Sequence, residues 1–170
     1  GERLRAGKRT SLLLSLSSEA VQDPTMASFI AANLASAGVP GEQLVLAVPE
    51  SKVFTSLREA QEFVGAMAGF GVQIALERFG AGLNSMQLLT HFDPAFLKID
   101  PQFMVDLSKS TDSQQKVRNI ASQASSRGIR TIADRVQDAT SMTLLFSAGV
   151  DFVQGDFLAP ASSSMNYDFS

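Results

Sequence analysis

Short apolar runs alternate with longer amphipathic stretches along most of the chain. An apolar run of four to eight residues is typical of a buried strand, whereas apolar positions three and four apart are typical of a helix face. Six runs predict strands, over residues 10–16, 43–48, 72–77, 96–100, 129–133 and 151–154. Four stretches predict helices, over residues 26–37, 57–70, 114–127 and 139–147.

Polar and glycine residues mark the ends of these predicted helices. Each helix is followed by a glycine that precedes a strand, a position that often needs positive φ: Gly38, Gly71, Gly128 and Gly149. Asp23 and Asp138 are predicted N-caps, and the serine-rich residues 108–113 are interpreted as a loop. The repeated order of strand, helix, glycine and strand is typical of parallel βα units.

Two parallel architectures fit such units, a doubly wound open sheet and a barrel. A doubly wound sheet is expected to carry a glycine-rich phosphate turn after its first strand, and residues 15–19 contain no glycine. A barrel gathers its functional residues at the carboxyl ends of many strands, where the unusual residues of this sequence lie. We therefore predict an α/β fold of the modified TIM-type (β/α) barrel class.

The number of units is low for a barrel, which has eight units and roughly 250 residues. The six units of this 170-residue chain lead us to expect that the first one or two βα units are absent from the sequence shown. Residues 1–5 are interpreted as the end of a helix. Residues 1–170 are then about the C-terminal three quarters of one barrel domain, with residues 161–170 as a C-terminal tail.

Composition excludes several classes of function. The formal net charge is −3 with scattered basic residues, so no basic stripe indicates binding to nucleic acid. The absence of cysteine excludes disulfides and thiolate metal sites and fits a reducing compartment, from which we expect a cytoplasmic location. No apolar run reaches membrane-spanning length, and membrane insertion is not expected.

Three characteristic motifs lie in or directly after the predicted strands: the turn Phe79-Gly80-Ala81-Gly82, the strand Leu97-Lys98-Ile99-Asp100 and the segment Val153-Gln154-Gly155. Together they resemble the EAL-domain family, the bacterial phosphodiesterases and receptors of cyclic di-GMP. It covers nearly the whole chain and implies a modified β/α barrel, in agreement with the prediction from the pattern.

The resemblance also implies which positions would hold metal and catalytic water, and most of them differ here. Ser15 stands in place of the family's asparagine, and Ala47 in place of the first glutamate of Glu-x-Thr-Glu, whose second glutamate is kept as Glu50. Glu77 and Arg78 replace an Asp-Asp pair.

The later strand ends show the same mixture. Asp134 and Gln137 replace the two glutamates of Ala-Glu-Gly-Val-Glu, and Arg135 replaces its glycine, whereas Lys98 and Gln154 are unchanged. Ala47 offers no ligand atom, Arg78 adds a positive charge, and Glu77 and Asp134 differ in length from the family's acids. We therefore interpret Ala47, Glu77 and Asp134 as degenerate metal positions and predict no catalytic residue, no bound metal and no hydrolysis.

Ligand binding remains as the expected activity, with cyclic di-GMP as ligand and without a metal cofactor. A guanidinium matches a phosphate bidentately, and an aromatic ring stacks on a base with about 1–3 kcal/mol. The predicted ligand-binding residues are Ser15, Arg78, Phe79, Lys98, Arg135, Gln137, Gln154, Phe157 and Pro160.

The degenerate pattern and the closing residues 165–169 look most like the FimX branch of the family. That branch implies an inactive cyclic di-GMP receptor that binds a PilZ-type adaptor protein in the control of type IV pili and twitching motility.

Other interpretations of these residues stay open from sequence alone. Phe79 is equally a packed anchor of its turn, Lys98 a vestigial charge, and Arg78 a partner of Glu77 or Glu50. For the whole chain, the alternatives are an interaction scaffold without nucleotide binding and a residual cyclic di-GMP phosphodiesterase.

Overall fold

Six parallel strands form one curled sheet in a computed structural model of the chain, which describes Gly7 and residues 10–163. The order of the strands in the sheet is their order in the chain. That sequential order is expected of a barrel, whereas a doubly wound sheet reverses its order part-way. All six predicted strands are confirmed, as β1 (Leu12–Ser15), β2 (Leu44–Pro49), β3 (Gln73–Phe79), β4 (Phe96–Ile99), β5 (Arg130–Ala133) and β6 (Phe152–Val153).

The sheet is a partial barrel, because β1 and β6 are its two edges and do not pair with each other within the described residues. The predicted helix end at residues 1–5 and the closing residues 165–169 lie outside the described part. Of the predicted tail, only residues 161–163 are described.

The helices cover the outer surface of this sheet. They are α1 (Ser18–Gln22), α2 (Met26–Ala37), α3 (Glu50–Thr55), α4 (Leu57–Ala68), α5 (Ser85–Leu88), α6 (Thr111–Ser125) and α7 (Ala139–Ser147), with 3-10 turns at Gly41–Gln43 and Pro101–Met104. The four predicted helices correspond to α2, α4, α6 and α7. Among the described residues, no helix combines the length and the apolar character needed to cross a membrane.

The predicted helix ends are mostly confirmed. All four glycines that follow a helix have positive φ, and the side chain of Asp138 accepts a hydrogen bond from the backbone N–H of Ser141. The prediction of Asp23 as an N-cap is wrong, because the N-cap position of α2 is Thr25. Asp23 Oδ1 instead accepts hydrogen bonds from the N–H and the hydroxyl of Thr25. The serine-rich loop is shorter than predicted, because Ser110 caps α6 and the helix begins at residue 111.

Two apolar layers hold the sheet. Side chains alternate between the two faces of a strand, so one set fills the inside of the curl and the other packs under the helices. The inner layer contains Val45, Ala47, Ala75, Phe96 and Ile132, with Leu13 against it. Burial on both faces explains why β2 and β4 appear in the sequence as almost continuous apolar runs.

Aromatic rings fill the inside of the curl at the amino ends of the later strands. The rings of Phe96 and Phe152 lie 6.1 Å apart, and the guanidinium of Arg130 stands 4.2 Å from the centre of the Phe96 ring. This packing leaves the carboxyl ends of the strands as the open side of the inner face.

Candidate functional site

The carboxyl ends of the strands bring a set of polar side chains to one opening, which we call the mouth. The inner layer of apolar residues ends at Ala47, Ala75 and Ile132. Counting two residues onward along each strand keeps a side chain on the same inner face. The mouth is thereby lined by Ser15, Glu77, Lys98, Asp134 and Gln154, and Ala47, the last inner residue of β2, lies at its base.

A hydrogen bond joins β1 to β3 above β2 at this mouth. Ser15 Oγ donates to Glu77 Oε2 over 2.7 Å. The strand between them contributes Ala47, which is paired with Ser15 in the register of β1 and β2 and is fully buried. Glu77 is paired with Pro49 in the register of β2 and β3, so the hydrogen bond spans β2 diagonally.

An ion pair joins β4 to the end of β5. Lys98 Nζ lies 3.0 Å from Asp134 Oδ2, and the two side chains are 11% and 22% exposed. Such a pair is costly to break, because removal of one partner leaves the other as a mostly buried charge without a counter-charge. In this structure the ammonium group of Lys98 is therefore paired with Asp134.

A β-bulge displaces the end of β3. Leu76 pairs with Leu97 and Phe79 with Ile99, so three steps along β3 face two steps along β4. The extra residue is accommodated at Arg78, which has a left-handed backbone (φ 55°) and an exposed side chain. Bulges of this kind re-aim side chains near functional sites.

The same bulge directs the side chain of Phe79 towards the core. Its side chain is 0% exposed and packs in the large cluster between sheet and helices. This corrects its prediction as a stacking residue in favour of the packed anchor. Arg78 pairs with neither Glu77 nor Glu50 within the described structure, where those carboxylates have other donors.

The buried carboxylate of Glu50 organises the loop that follows the bulge. Glu50 is 2% exposed and accepts hydrogen bonds from the N–H of Gly80 (2.8 Å) and from Ser85 Oγ (2.5 Å). A Cβ added at Gly82 would lie 2.6 Å from Glu50 Oε1, so a side chain there would displace this carboxylate. Glu50 thus holds the loop rather than facing the mouth with a free carboxylate.

A cleft of about 560 Å³ opens beside the mouth, between the segments that follow β5 and β6. Asp134 and Gln154 belong to both the mouth and the cleft, so the two are continuous. The cleft is lined by Asp134, Arg135, Val136, Gln137, Val153, Gln154, Gly155, Asp156, Leu158, Ala159 and Ala161.

Backbone contacts fix the shape of the cleft. Gln154 donates its N–H to the carbonyl of Ala133 (2.8 Å) and its own carbonyl accepts from Val136 (2.9 Å). Any side chain at Gly155 would overlap the backbone N and O of Val136. Arg135 has a left-handed backbone (φ 59°), and its N–H bonds to Asp134 Oδ1. Its exposed guanidinium has no acidic partner among the described residues.

The structure brings together most of the residues predicted from the sequence. Arg135, Gln137 and Gln154 line the cleft, while Ser15, Glu77, Lys98 and Asp134 meet at the mouth. Phe157 is 48% exposed on the adjoining turn, and the exposed Pro160 follows it, although neither is among the cleft-lining residues.

Sequence reasoning missed Asp156, Leu158 and Ala159, which line the cleft. They reach it because the chain turns after Gly155, whose carbonyl accepts from the N–H groups of Leu158 and Ala159. Proximity to the Gln-Gly pair was the available signal, but it does not indicate which side chains of a turn face inward.

Comparison with known proteins gives a consistent family assignment. Residues 2–161 match the family model of the EAL domain. The chain is 28% identical over 141 residues to the blue light- and temperature-regulated antirepressor BluF of Escherichia coli, covering 83% of this chain and 35% of that protein. It is 29% identical over 122 residues to the cyclic di-GMP phosphodiesterase PdeF of E. coli, covering 72% of this chain and 16% of that protein. The chain therefore spans about a third or less of these two relatives.

Solved structures agree with the predicted branch. The EAL domain of Xanthomonas citri FimX in complex with cyclic di-GMP has a TM-score of 0.94 and 51% identity, covering 99% of this chain and 67% of that one. The Pseudomonas aeruginosa FimX EAL domain bound to cyclic di-GMP has a TM-score of 0.90 and 30% identity, covering 99% and 69%. The resemblance to the FimX branch is confirmed by these two structures.

Proposed function

The chain belongs to the EAL-domain family, and on that premise we propose that it is a catalytically inactive receptor domain for cyclic di-GMP. The observation that carries this proposal is the pairing of the charges at the mouth. Glu77 accepts a hydrogen bond from the hydroxyl of Ser15, and Asp134 pairs with the ammonium of Lys98. The guanidinium groups of Arg78 and Arg135 are exposed and have no acidic partner in the part of the chain that the structure describes.

The donor set at the mouth does not suit the pair of divalent ions used by the family's hydrolases. Such ions need several hard oxygen ligands in close geometry. Ala47 offers none, and Glu77 and Asp134 already have other partners. Among the described residues, no three side chains of His, Cys, Asp or Glu are grouped to hold one ion. We therefore propose ligand binding without a metal cofactor and derive no hydrolytic step.

The cleft and mouth, with the neighbouring end of β3, supply groups suited to a cyclic dinucleotide. Arg135 of the cleft would bind one phosphate through bidentate hydrogen bonds, and the exposed Arg78, which follows Glu77 of the mouth, would bind the other. Gln137, Gln154 and Ser15 would add neutral hydrogen bonds, and the exposed ring of Phe157 beside Pro160 would stack on a base. The complexes of the two FimX EAL domains with cyclic di-GMP support this assignment.

The proposal extends to the signalling role implied by the FimX branch. We propose that the domain acts in the cytoplasm by protein–protein interaction, with a PilZ-type adaptor as partner, in the control of type IV pili. No nucleic acid or membrane partner is part of the proposal.

Calorimetric titration with cyclic di-GMP in a chelating buffer tests binding, with the protein at its natural full length. We expect saturable heat at tens of micromolar protein, strongly reduced in Arg135→Ala and unchanged in Arg118→Ala, an exposed arginine of α6 outside the cleft. Absence of heat would contradict the receptor function. Adaptor binding that persists without nucleotide would instead indicate an interaction scaffold.

Long incubation of the same protein with cyclic di-GMP and Mg²⁺ or Mn²⁺ tests inactivity. We expect no linear dinucleotide. Formation of product, increased by Arg78→Asp, would overturn the inactive assignment and indicate a residual phosphodiesterase.

A further inference from the structure

The cleft contains one carboxylate that the binding of phosphates does not explain. Asp156 lines the cleft together with Arg135 and Gln137. Asp134, the other acid of the cleft, is neutralised by Lys98. Asp156 is exposed and has no hydrogen-bond or ion-pair partner within the described part of the chain.

The position of Asp156 is fixed by the backbone rather than left to a free loop. It follows Gly155, which lies directly on the backbone of Val136. It is the second residue of the turn that a hydrogen bond from Leu158 N–H to the Gly155 carbonyl closes over 3.0 Å. Gln154, which precedes Gly155, forms backbone hydrogen bonds with both Ala133 and Val136. The carboxylate is therefore presented from a constrained turn at the wall of the cleft.

An unpaired carboxylate opposes a dianionic ligand unless it meets the uncharged part of that ligand. An ionised carboxylate is only an acceptor, with two oxygens that can take two parallel N–H groups. Guanine presents two such donors side by side, at N1 and at the exocyclic N2. Adenine presents one donor at N6 beside the acceptor N1, whose lone pair repels a carboxylate oxygen.

Resting on the proposed function, we infer that Asp156 binds the Watson–Crick edge of a guanine and makes the cleft selective for guanine over adenine in cyclic dinucleotides. Arg135 and Asp156 then divide the ligand between them, with the cation at a phosphate and the anion at a base. Such a residue provides specificity both by attracting the correct base and by repelling the wrong one.

Parallel titrations of cyclic di-GMP and cyclic di-AMP into the full-length protein and its Asp156→Asn variant test this role. The substitution removes a negative charge, which by charge alone would tighten binding of any anionic ligand. We expect cyclic di-GMP to bind about tenfold or more weakly, within the range of one bidentate base contact, while cyclic di-AMP binds equally well or more tightly. Asp112→Asn, at an exposed acid paired with Lys116 on α6, should change neither affinity.

The outcomes separate this inference from the function on which it rests. If the unchanged protein binds neither dinucleotide, the receptor function fails and the role of Asp156 fails with it. If the protein binds cyclic di-GMP and Asp156→Asn leaves the ratio of the two affinities unaltered, only the role of Asp156 is overturned. Thermal melting of the variant checks folding, which we expect to be unchanged because Asp156 has no described partner to lose. If the substitution does lower the melting temperature, Asp156→Glu, which keeps the carboxylate, must retain the preference for cyclic di-GMP, and loss of that preference contradicts the inference.

Discussion

Ser15 on β1 and Glu77 on β3 share a 2.7 Å hydrogen bond that spans β2, the strand between them. Without this contact, the Glu77 carboxylate would face the mouth with no hydrogen-bond donor among the described residues. The hydroxyl of Ser15 is the donor, so the residue at position 15 determines whether this carboxylate has a partner.

Ser15→Ala should lower both stability and ligand affinity. The loss of one hydrogen bond costs about 0.5–1.5 kcal/mol, with a value near the lower limit expected because Ser15 is exposed. The freed Glu77 carboxylate would repel cyclic di-GMP more strongly, so the dissociation constant should rise. Urea unfolding and calorimetry measure the two effects, and Ser15→Thr, which keeps the hydroxyl, should restore both. A variant with unchanged affinity would show that Glu77 does not face the ligand.

Lys98 and Asp134 should show strong energetic coupling in a double-mutant cycle. Each of Lys98→Met and Asp134→Asn leaves a mostly buried partner without its counter-charge, whereas the double variant removes both charges. We expect a coupling energy of about 0.5–3 kcal/mol in urea unfolding. The matched control is Lys109 with Asp106, a pair 3.3 Å apart whose side chains are 81% and 67% exposed. Exposed pairs contribute about 0–1 kcal/mol, so equal coupling in both cycles would contradict the special position of Lys98.

Arg135→Gly should raise stability while it weakens ligand binding. A left-handed backbone costs a non-glycine residue about 1–2 kcal/mol. Glycine removes that cost, and it also removes the side chain that we propose binds a phosphate. Opposite changes in the melting temperature and in cyclic di-GMP affinity are the expected signature. Asp106→Gly, at another left-handed residue (φ 48°) outside the cleft, should leave affinity unchanged. A fall in melting temperature for Arg135→Gly would mean that its side chain stabilises the fold.

The periodic part of the fold was predictable from the sequence because packing enforces it. The burial of β2 and β4 on both faces requires long apolar runs, and the residues that follow the helices must adopt positive φ, which favours glycine. Both features can therefore be recognised in the amino-acid sequence. Short elements such as α1 and α5 span too few residues to show a helical period and were not predicted.

The end of β3 illustrates why the site was harder to predict than the fold. The prediction ended this strand at residue 77, but the bulge at Arg78 carries it on to Phe79. A left-handed backbone at an arginine has no sequence signal, unlike one at glycine. Family motifs identified the polar residues at the strand ends, but only the three-dimensional structure shows that Phe79 packs in the core, away from the mouth.

The N-cap of α7 gives the fold a dependence on pH at the acid end. Hydrogen bonds from the N–H and hydroxyl of Ser141 lower the pKa of Asp138 below its ordinary value. A lowered folded-state pKa means that the stabilisation is complete above the unfolded-state pKa of about 3.9 and is lost as pH falls through the folded-state pKa. Carboxylates titrate roughly between pH 5 and 2. Across that window the melting temperature of Asp138→Asn, which keeps an accepting oxygen, should therefore fall less steeply than that of the unchanged protein. Identical slopes would place the acid sensitivity in other carboxylates.

Glu50 should prove essential for the loop after β3 and not for charge at the mouth. Its two oxygens accept from Gly80 and Ser85 in a buried site. Glu50→Gln replaces one acceptor by a donor, so Ser85 must accept from the new amide and donate to the carbonyl of Gly82 instead. Both hydrogen bonds to position 50 also lose their charge assistance. Hydrogen bonds to charged groups contribute about 1.5–3 kcal/mol and neutral ones about 0.5–1.5 kcal/mol, so the free energy of unfolding should fall by about 1–3 kcal/mol. Ser85→Ala, which removes only one donor, should cost less. Hydrogen exchange should report faster opening of residues 80–85 in Glu50→Gln. If exchange there is unchanged while cyclic di-GMP affinity falls, Glu50 acts on the ligand directly and its assignment to the loop is contradicted.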